Sequence, residues 1–165
     1  MTDTFDLSPL LPLQKALDEE IAREHGVTYE STSSRRILAL LVELGEFANE
    51  TRSFKYWSFK GPSPKEVILD EYADGLHFLL SLGIPLGAKE LILSPKEYDI
   101  PLYDAILDVY GEVVGLSKSY DLSHYKAAFS AYLGLLPLMG YGEEDAKDAY
   151  LKKLKVNHER QEGHY

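Results

Sequence analysis

The sequence predicts an all-α protein, a bundle of about six helices. Three observations carry this. Apolar residues recur every three or four positions in six stretches, no stretch alternates apolar and polar residues as a strand would, and glycine or proline stands at most of the breaks. Leu10, Leu13, Leu17 and Ile21 mark the first helix, with Gly26 as its stop. The run STSS offers N-caps for a second helix over RRILALLVELGEFANE, whose buried stripe is Ile37, Leu40, Leu41, Leu44 and Ala48. TRSFKYWSFKGPSP is aromatic and basic and breaks at Gly61, Pro62 and Pro64, so it reads as a loop. A third helix starts after Pro64, keeps its period through Ile68, Leu69, Tyr72, Leu76, Leu79 and Leu80, and ends at Gly83 and Pro85. LGAKELILSPKEYDIP is a short helix or a connector. Periodicity resumes over Leu102 to Leu116 and over His124 to Met139, where Pro137 predicts a kink. The last helix begins at Gly142 with an acidic first turn, Glu143, Glu144 and Asp145, that suits its dipole, and runs to about Gln161.

At 165 residues, 45% of them hydrophobic, the chain reads as one domain over 1–165 with enough apolar surface for a real core. With 17 basic against 27 acidic side chains the formal charge is −10, which repels polyanions and argues against nucleic acid as a partner. A phosphate-bearing substrate must then be met by locally placed cations and by metal ions that offset clustered acids. The absence of cysteine excludes disulfides, thiolate zinc sites and cysteine redox chemistry. The N-terminus lacks a basic start followed by an apolar run, and no stretch approaches the roughly 18 apolar residues of a membrane helix. The expectation is a cytoplasmic protein without a membrane partner.

Glu43 and Glu46 stand three residues apart and share a helical face, with Glu50 a turn further on; Glu71 and Asp74 repeat the pattern on the third helix. A lone ExxE is usually a solvated face. Two such pairs on successive apolar helices invite a shared cation, because acids in apolar surroundings are costly unless solvated, protonated or metal-bound. Mg²⁺ suits hard carboxylate oxygens, whereas zinc favours histidine or thiolate.

Cations and aromatics accompany the acids. In the tail YLKKLKVNHERQEGHY, Lys153, Asn157 and Arg160 form one helical stripe that Tyr150 continues. Their ordinary role would be to complement the helix dipole. The loop supplies Arg52, Lys55, Tyr56 and Trp57 directly after the acidic helix, with a core plug as the plain alternative for Trp57 and Phe54. Phe78 shares a face with Glu71 and Asp74 and sets an apolar ring beside them. His77, one position off, reads as a hydrogen-bonding neighbour rather than a ligand.

The ordered set ELGE, FKYWS, EYADGLHFLLSLG and KxxxNxxRQxxxY, from about Gln14 to Tyr165, resembles the dimeric all-helical dUTPases of the MazG-like all-α NTP pyrophosphatase superfamily. The resemblance implies a homodimer that cleaves dUTP to dUMP and pyrophosphate, and dUDP to dUMP and phosphate. It implies two or more Mg²⁺ ions per site, with Mn²⁺ as a substitute. Glu43, Glu46, Glu71 and Asp74 would hold the ions, and Glu46 would also be the base that orients water for attack at the β-phosphorus. Lys55, Lys153, Asn157 and Arg160 would hold phosphates. Gln14 and Trp57 would approach the uracil, while Phe78 would stack near the base, with His77 beside it, and disfavour a ribose 2′-hydroxyl. Two positions depart from many relatives, Asp18 and Leu154, where asparagine is usual. Asp18 bears on the base, since an ionised carboxylate accepts hydrogen bonds and cannot donate them. The alternatives are a related pyrophosphatase for dCTP or a wider set of nucleotides, and a non-catalytic helical dimer that acts as a binding protein.

Overall fold

The ends of the helices are set by caps and the interior by apolar stripes. The structure, a computed structural model, describes residues 3–163. A short strand β1 (Phe5–Asp6) leads to α1 (Leu10–His25), which stops where Gly26 takes a left-handed φ of 62°. Next come α2 (Tyr29–Thr51), α3 (Lys65–Gly83), a 3₁₀ turn (Ile84–Leu86) and a second strand, β2 (Ile92–Leu93). The chain then forms α4 (Leu102–Lys118), α5 (Leu122–Leu133), the short α6 (Leu135–Leu138) and α7 (Glu143–Glu162).

α3 is the axis of the fold. It packs against α2 along much of its length and against α1, α5 and α7, and nearly all of its second half is buried. Tyr72 of α3 stacks on Tyr132 of α5, with ring centroids 4.3 Å apart. Each hydroxyl donates to the other residue's carbonyl, at 3.1 and 2.6 Å. This pairing needs a glycine. A Cβ on Gly75 would lie 2.2 Å from the Tyr132 hydroxyl oxygen, so the two helices approach only because that side chain is missing.

Three expectations are corrected. α2 begins at Tyr29, ahead of STSS: Thr28 Oγ1 accepts from the Ser31 N–H at 3.1 Å and Ser31 Oγ from the Thr28 N–H at 2.9 Å, a reciprocal box that starts the helix early. The connector after α3 carries strand structure, since β2 pairs antiparallel with β1, Phe5 opposite Leu93 and Asp6 opposite Ile92. The break after α5 falls at Gly134 rather than at Pro137. There a Cβ would lie 2.3 Å from the Lys96 carbonyl oxygen. The architecture is all-α with a two-residue ladder at one edge.

Candidate active site

Side-by-side packing of α2 and α3 turns two sequence motifs into one cluster. Carboxylate oxygens of Glu43, Glu71 and Asp74 all lie within 4.8 Å of one another, and the three residues are half-buried. Burial, then the charge of Asp74, pushes both Glu43 and Glu71 up to about 7. Glu46, one turn along α2, stands exposed outside this trio, and its charge adds to the repulsion on Glu43. Glu50, the next acid on that face, is engaged elsewhere, accepting from the Ser63 hydroxyl at the end of the loop.

One cation answers the acids directly. Lys153, on α7, is buried and puts its Nζ 3.0 Å from Asp70 Oδ2 and 3.2 Å from Asp74 Oδ1. Burial works against the charged amine, but the hydrogen bond it donates to Asp70 and the two carboxylate charges hold its pKa above the ordinary lysine value. Asp70 was not singled out from the sequence. Its signal was there, one helical turn before Asp74 and adjacent to Glu71. α7 packs on α1 and α3 of its own chain, so the tail meets its own acids. His158 pins it further, with Nδ1 2.7 Å from Glu20 Oε2. Asn157 is half-buried and Arg160 exposed, and the charge of Arg160 reaches Asp74. Tyr165, the end of the tail motif, lies outside the described residues.

The loop after α2 does not plug the core. Trp57 is 63% and Tyr56 93% exposed, and Trp57 makes edge contacts with Phe54 and Tyr56 within the loop. Lys55 lies over the Phe54 ring at 5.8 Å. Arg52 is spent on the loop itself, donating to the Lys60 carbonyl and the Ser58 hydroxyl. Lys55 and Trp57 thus make contacts within the loop, and Ser63 ties its end to Glu50.

On the other side of His77 a cleft of about 380 Å³ opens between α1, the start of α2 and α3, lined by Asp18, Tyr29, Arg36, His77, Phe78 and Ser81 among others. Its polar wall is one network. Gln14, fully buried, donates from Nε2 to Asp18 Oδ1 at 2.9 Å, has the same nitrogen 3.3 Å from His77 Nε2, and accepts from the Tyr150 hydroxyl at 2.8 Å. Asp18 Oδ2 accepts from Ser81 at 2.8 Å and Tyr29 at 3.1 Å. Arg36 ties Ser81 to the Tyr29 carbonyl and lies 5.0 Å over the Tyr29 ring. Gln14 and Tyr150 stand behind the lining, and Tyr29, Arg36 and Ser81 are the members of the network that were not singled out from the sequence. The available signal for Arg36 was a charge directly beside Ile37, at the head of an apolar stripe. Phe78 meets the His77 ring edge-on at 5.0 Å.

The donor set of the trio is all carboxylate oxygen. Left to themselves, its acids are pushed toward the protonated form by burial and by one another, which is the behaviour of a site completed by a cation, and a hard divalent ion fits such donors. A cluster of this kind beside a mostly apolar cleft with a few polar groups is compatible with a hydrolase or with a metal-binding module. No helix among the described residues is long and apolar enough to cross a membrane. Among curated proteins none matches the chain. A protein-family model described as dUTPase matches residues 6–165, nearly the whole length. The chain therefore belongs to the all-α dUTPase family, and its chemistry is the hydrolysis of dUTP by a dUTP diphosphatase.

Proposed function

We propose that this dUTPase is an Mg²⁺-dependent enzyme, with Mn²⁺ as a substitute, that converts dUTP to dUMP and pyrophosphate and also dUDP to dUMP and phosphate. The observation that carries the reading is the convergence of Glu43, Glu71 and Asp74, with Lys153 against Asp74, one turn of α3 from the cleft that His77 and Phe78 line. Glu43, Glu46, Glu71 and Asp74 hold the ions. Mg²⁺, when bound, supplies positive charge that offsets the phosphate chain and lowers the pKa of a nearby water. Glu46, at the exposed edge of the cluster, orients that water and takes its proton as it adds to the β-phosphorus. The bond from that phosphorus to the bridging oxygen breaks, and the oxygen leaves with dUMP. Lys153 moves from carboxylate to phosphate oxygen as substrate arrives, Asn157 and Arg160 extend the same donor stripe, and Lys55 closes from the loop with Trp57. Phe78 packs against the deoxyribose and crowds a 2′-hydroxyl.

The competing dCTP reading rested on Asp18 as an acceptor for an amino group. Its oxygens accept from Gln14, Ser81 and Tyr29 in this structure, and this engagement supports the uracil reading over the dCTP one. The enzyme acts as a cytoplasmic homodimer, a state supported by exposed apolar residues on the neighbouring helices α2 and α4: Leu38 and Val42 on the first, Leu107 and Val114 on the second. The test is Glu46→Gln. Turnover of dUTP with Mg²⁺ should fall by about 10²–10⁴-fold with dUTP binding largely kept, and unchanged turnover removes Glu46 from the mechanism.

A further inference from the structure

Among the described residues, His77 Nδ1 is the buried side-chain nitrogen without a hydrogen-bond partner. The ring lines the cleft, is about nine-tenths buried and is held neutral, its pKa brought down to about 4 by burial and by the charge of Lys153. A neutral imidazole carries one proton, and the wall decides where it sits. Asp18 is an acceptor: three side chains, Gln14, Ser81 and Tyr29, converge on its two oxygens. With Asp18 Oδ1 only 2.9 Å away, the Gln14 atom facing it must be the amide nitrogen, since an amide oxygen there would oppose a carboxylate oxygen. The Tyr150 hydroxyl fits the same orientation, donating to Gln14 Oε1 at 2.8 Å. The amide nitrogen so fixed also faces His77 Nε2 at 3.3 Å, and two N–H groups cannot face each other productively. Nε2 is thus the acceptor, and the proton is on Nδ1.

We propose that Asp18 is a positioning residue that, through Gln14, locks the His77 proton on Nδ1, and that this N–H is the donor by which the cleft selects a pyrimidine with a 4-oxo group over one with a 4-amino group. The inference rests on the reading that the base of the substrate enters this cleft. Nδ1 is closed to solvent in this structure, so the ring must shift toward the cleft for a base to reach it; a buried donor without a partner is costly, and an arriving carbonyl removes that cost. Uracil offers an acceptor at position 4, whereas cytosine presents N–H donors there and leaves the histidine unpaired. An asparagine at position 18 would offer both a donor and an acceptor and so would not dictate the Gln14 orientation by itself. In this chain the carboxylate removes that ambiguity.

The test reads the tautomer and the preference separately. In full-length protein labelled with ¹⁵N-histidine, long-range ¹H–¹⁵N correlation should show His77 as a single neutral tautomer with the proton on Nδ1. In Asp18→Asn the Nε2-protonated form should appear. The ratio of kcat/KM for dUTP to that for dCTP, measured with Mg²⁺, should fall about tenfold or more, chiefly through KM for dUTP. Gln14→Met, which keeps volume and removes the amide, should release the tautomer in the same way. A wild-type proton on Nε2 overturns the proposal, and this holds even if neither variant folds. A variant whose tautomer shifts while its preference does not, or the reverse, overturns the link between the two. Failure of the wild-type protein to hydrolyse dUTP would strike the proposed reaction instead, because the tautomer is read without turnover.

Discussion

At the scale of single residues, Glu43 and Glu71 connect stability to metal. Both have folded-state pKa values near 7, raised first by burial, above the usual 4.5 of an unfolded glutamate. The folded chain therefore binds more protons than the unfolded chain between about pH 4.5 and 7, and without metal its stability falls as pH rises through that window. A divalent ion reverses the penalty by pairing with the ionised pair. Thermal melts with and without Mg²⁺ should thus show a larger stabilisation at pH 8 than at pH 5.5, and an equal shift at both would separate these acids from the metal. The spacing of Glu43, Glu46, Glu71 and Asp74 was legible in the sequence because the residues of each pair share a helical face. The Lys153 contact with Asp70 and Asp74 was not, because it joins distant positions, 83 residues apart for Asp70, through the docking of α7, which no local pattern encodes. Asp18 shows the same limit: its chemistry could be named, but not the three donors that surround it.

Among the elements, α3 carries both halves of the site, with Glu71 and Asp74 toward the acids and His77, Phe78 and Ser81 toward the cleft. Its placement depends on Gly75, over which Tyr132 lies. Replacing Gly75 with alanine should cost about 1–3 kcal/mol by overpacking, measured by denaturant unfolding, even though alanine is the better helix former in isolation. A stabilised variant would mean that the Tyr72–Tyr132 stack yields without penalty. Apolar periodicity revealed the long helices because each buries one continuous stripe. It missed β1 and β2 because two residues are too few to show alternation. The start of α2 was misread because Thr28 and the serines that follow are all good caps, and only the reciprocal bonds of Thr28 and Ser31 select one of them.

For the whole molecule, an acidic chain with an anionic substrate requires cations concentrated where the phosphates would lie. The net charge is −10, and in the proposed mechanism Lys153 and the ions would offset it locally, beside Asp70 and Asp74 of α3. In the proposed homodimer the exposed apolar residues of α2 and α4 form the interface. Leu107→Glu should convert the dimer to monomers in size-exclusion chromatography with light scattering, and a variant that remains dimeric would move the interface elsewhere. The central claim is that the Glu43, Glu71 and Asp74 cluster is the metal centre at which dUTP is cleaved. Its most direct test is pyrophosphate release from dUTP at saturating Mg²⁺ by Glu71→Gln beside the wild type. Rapid release by the wild type and a loss of about 10²-fold or more in the variant are expected, and turnover within a few-fold of wild type would remove the cluster from the reaction.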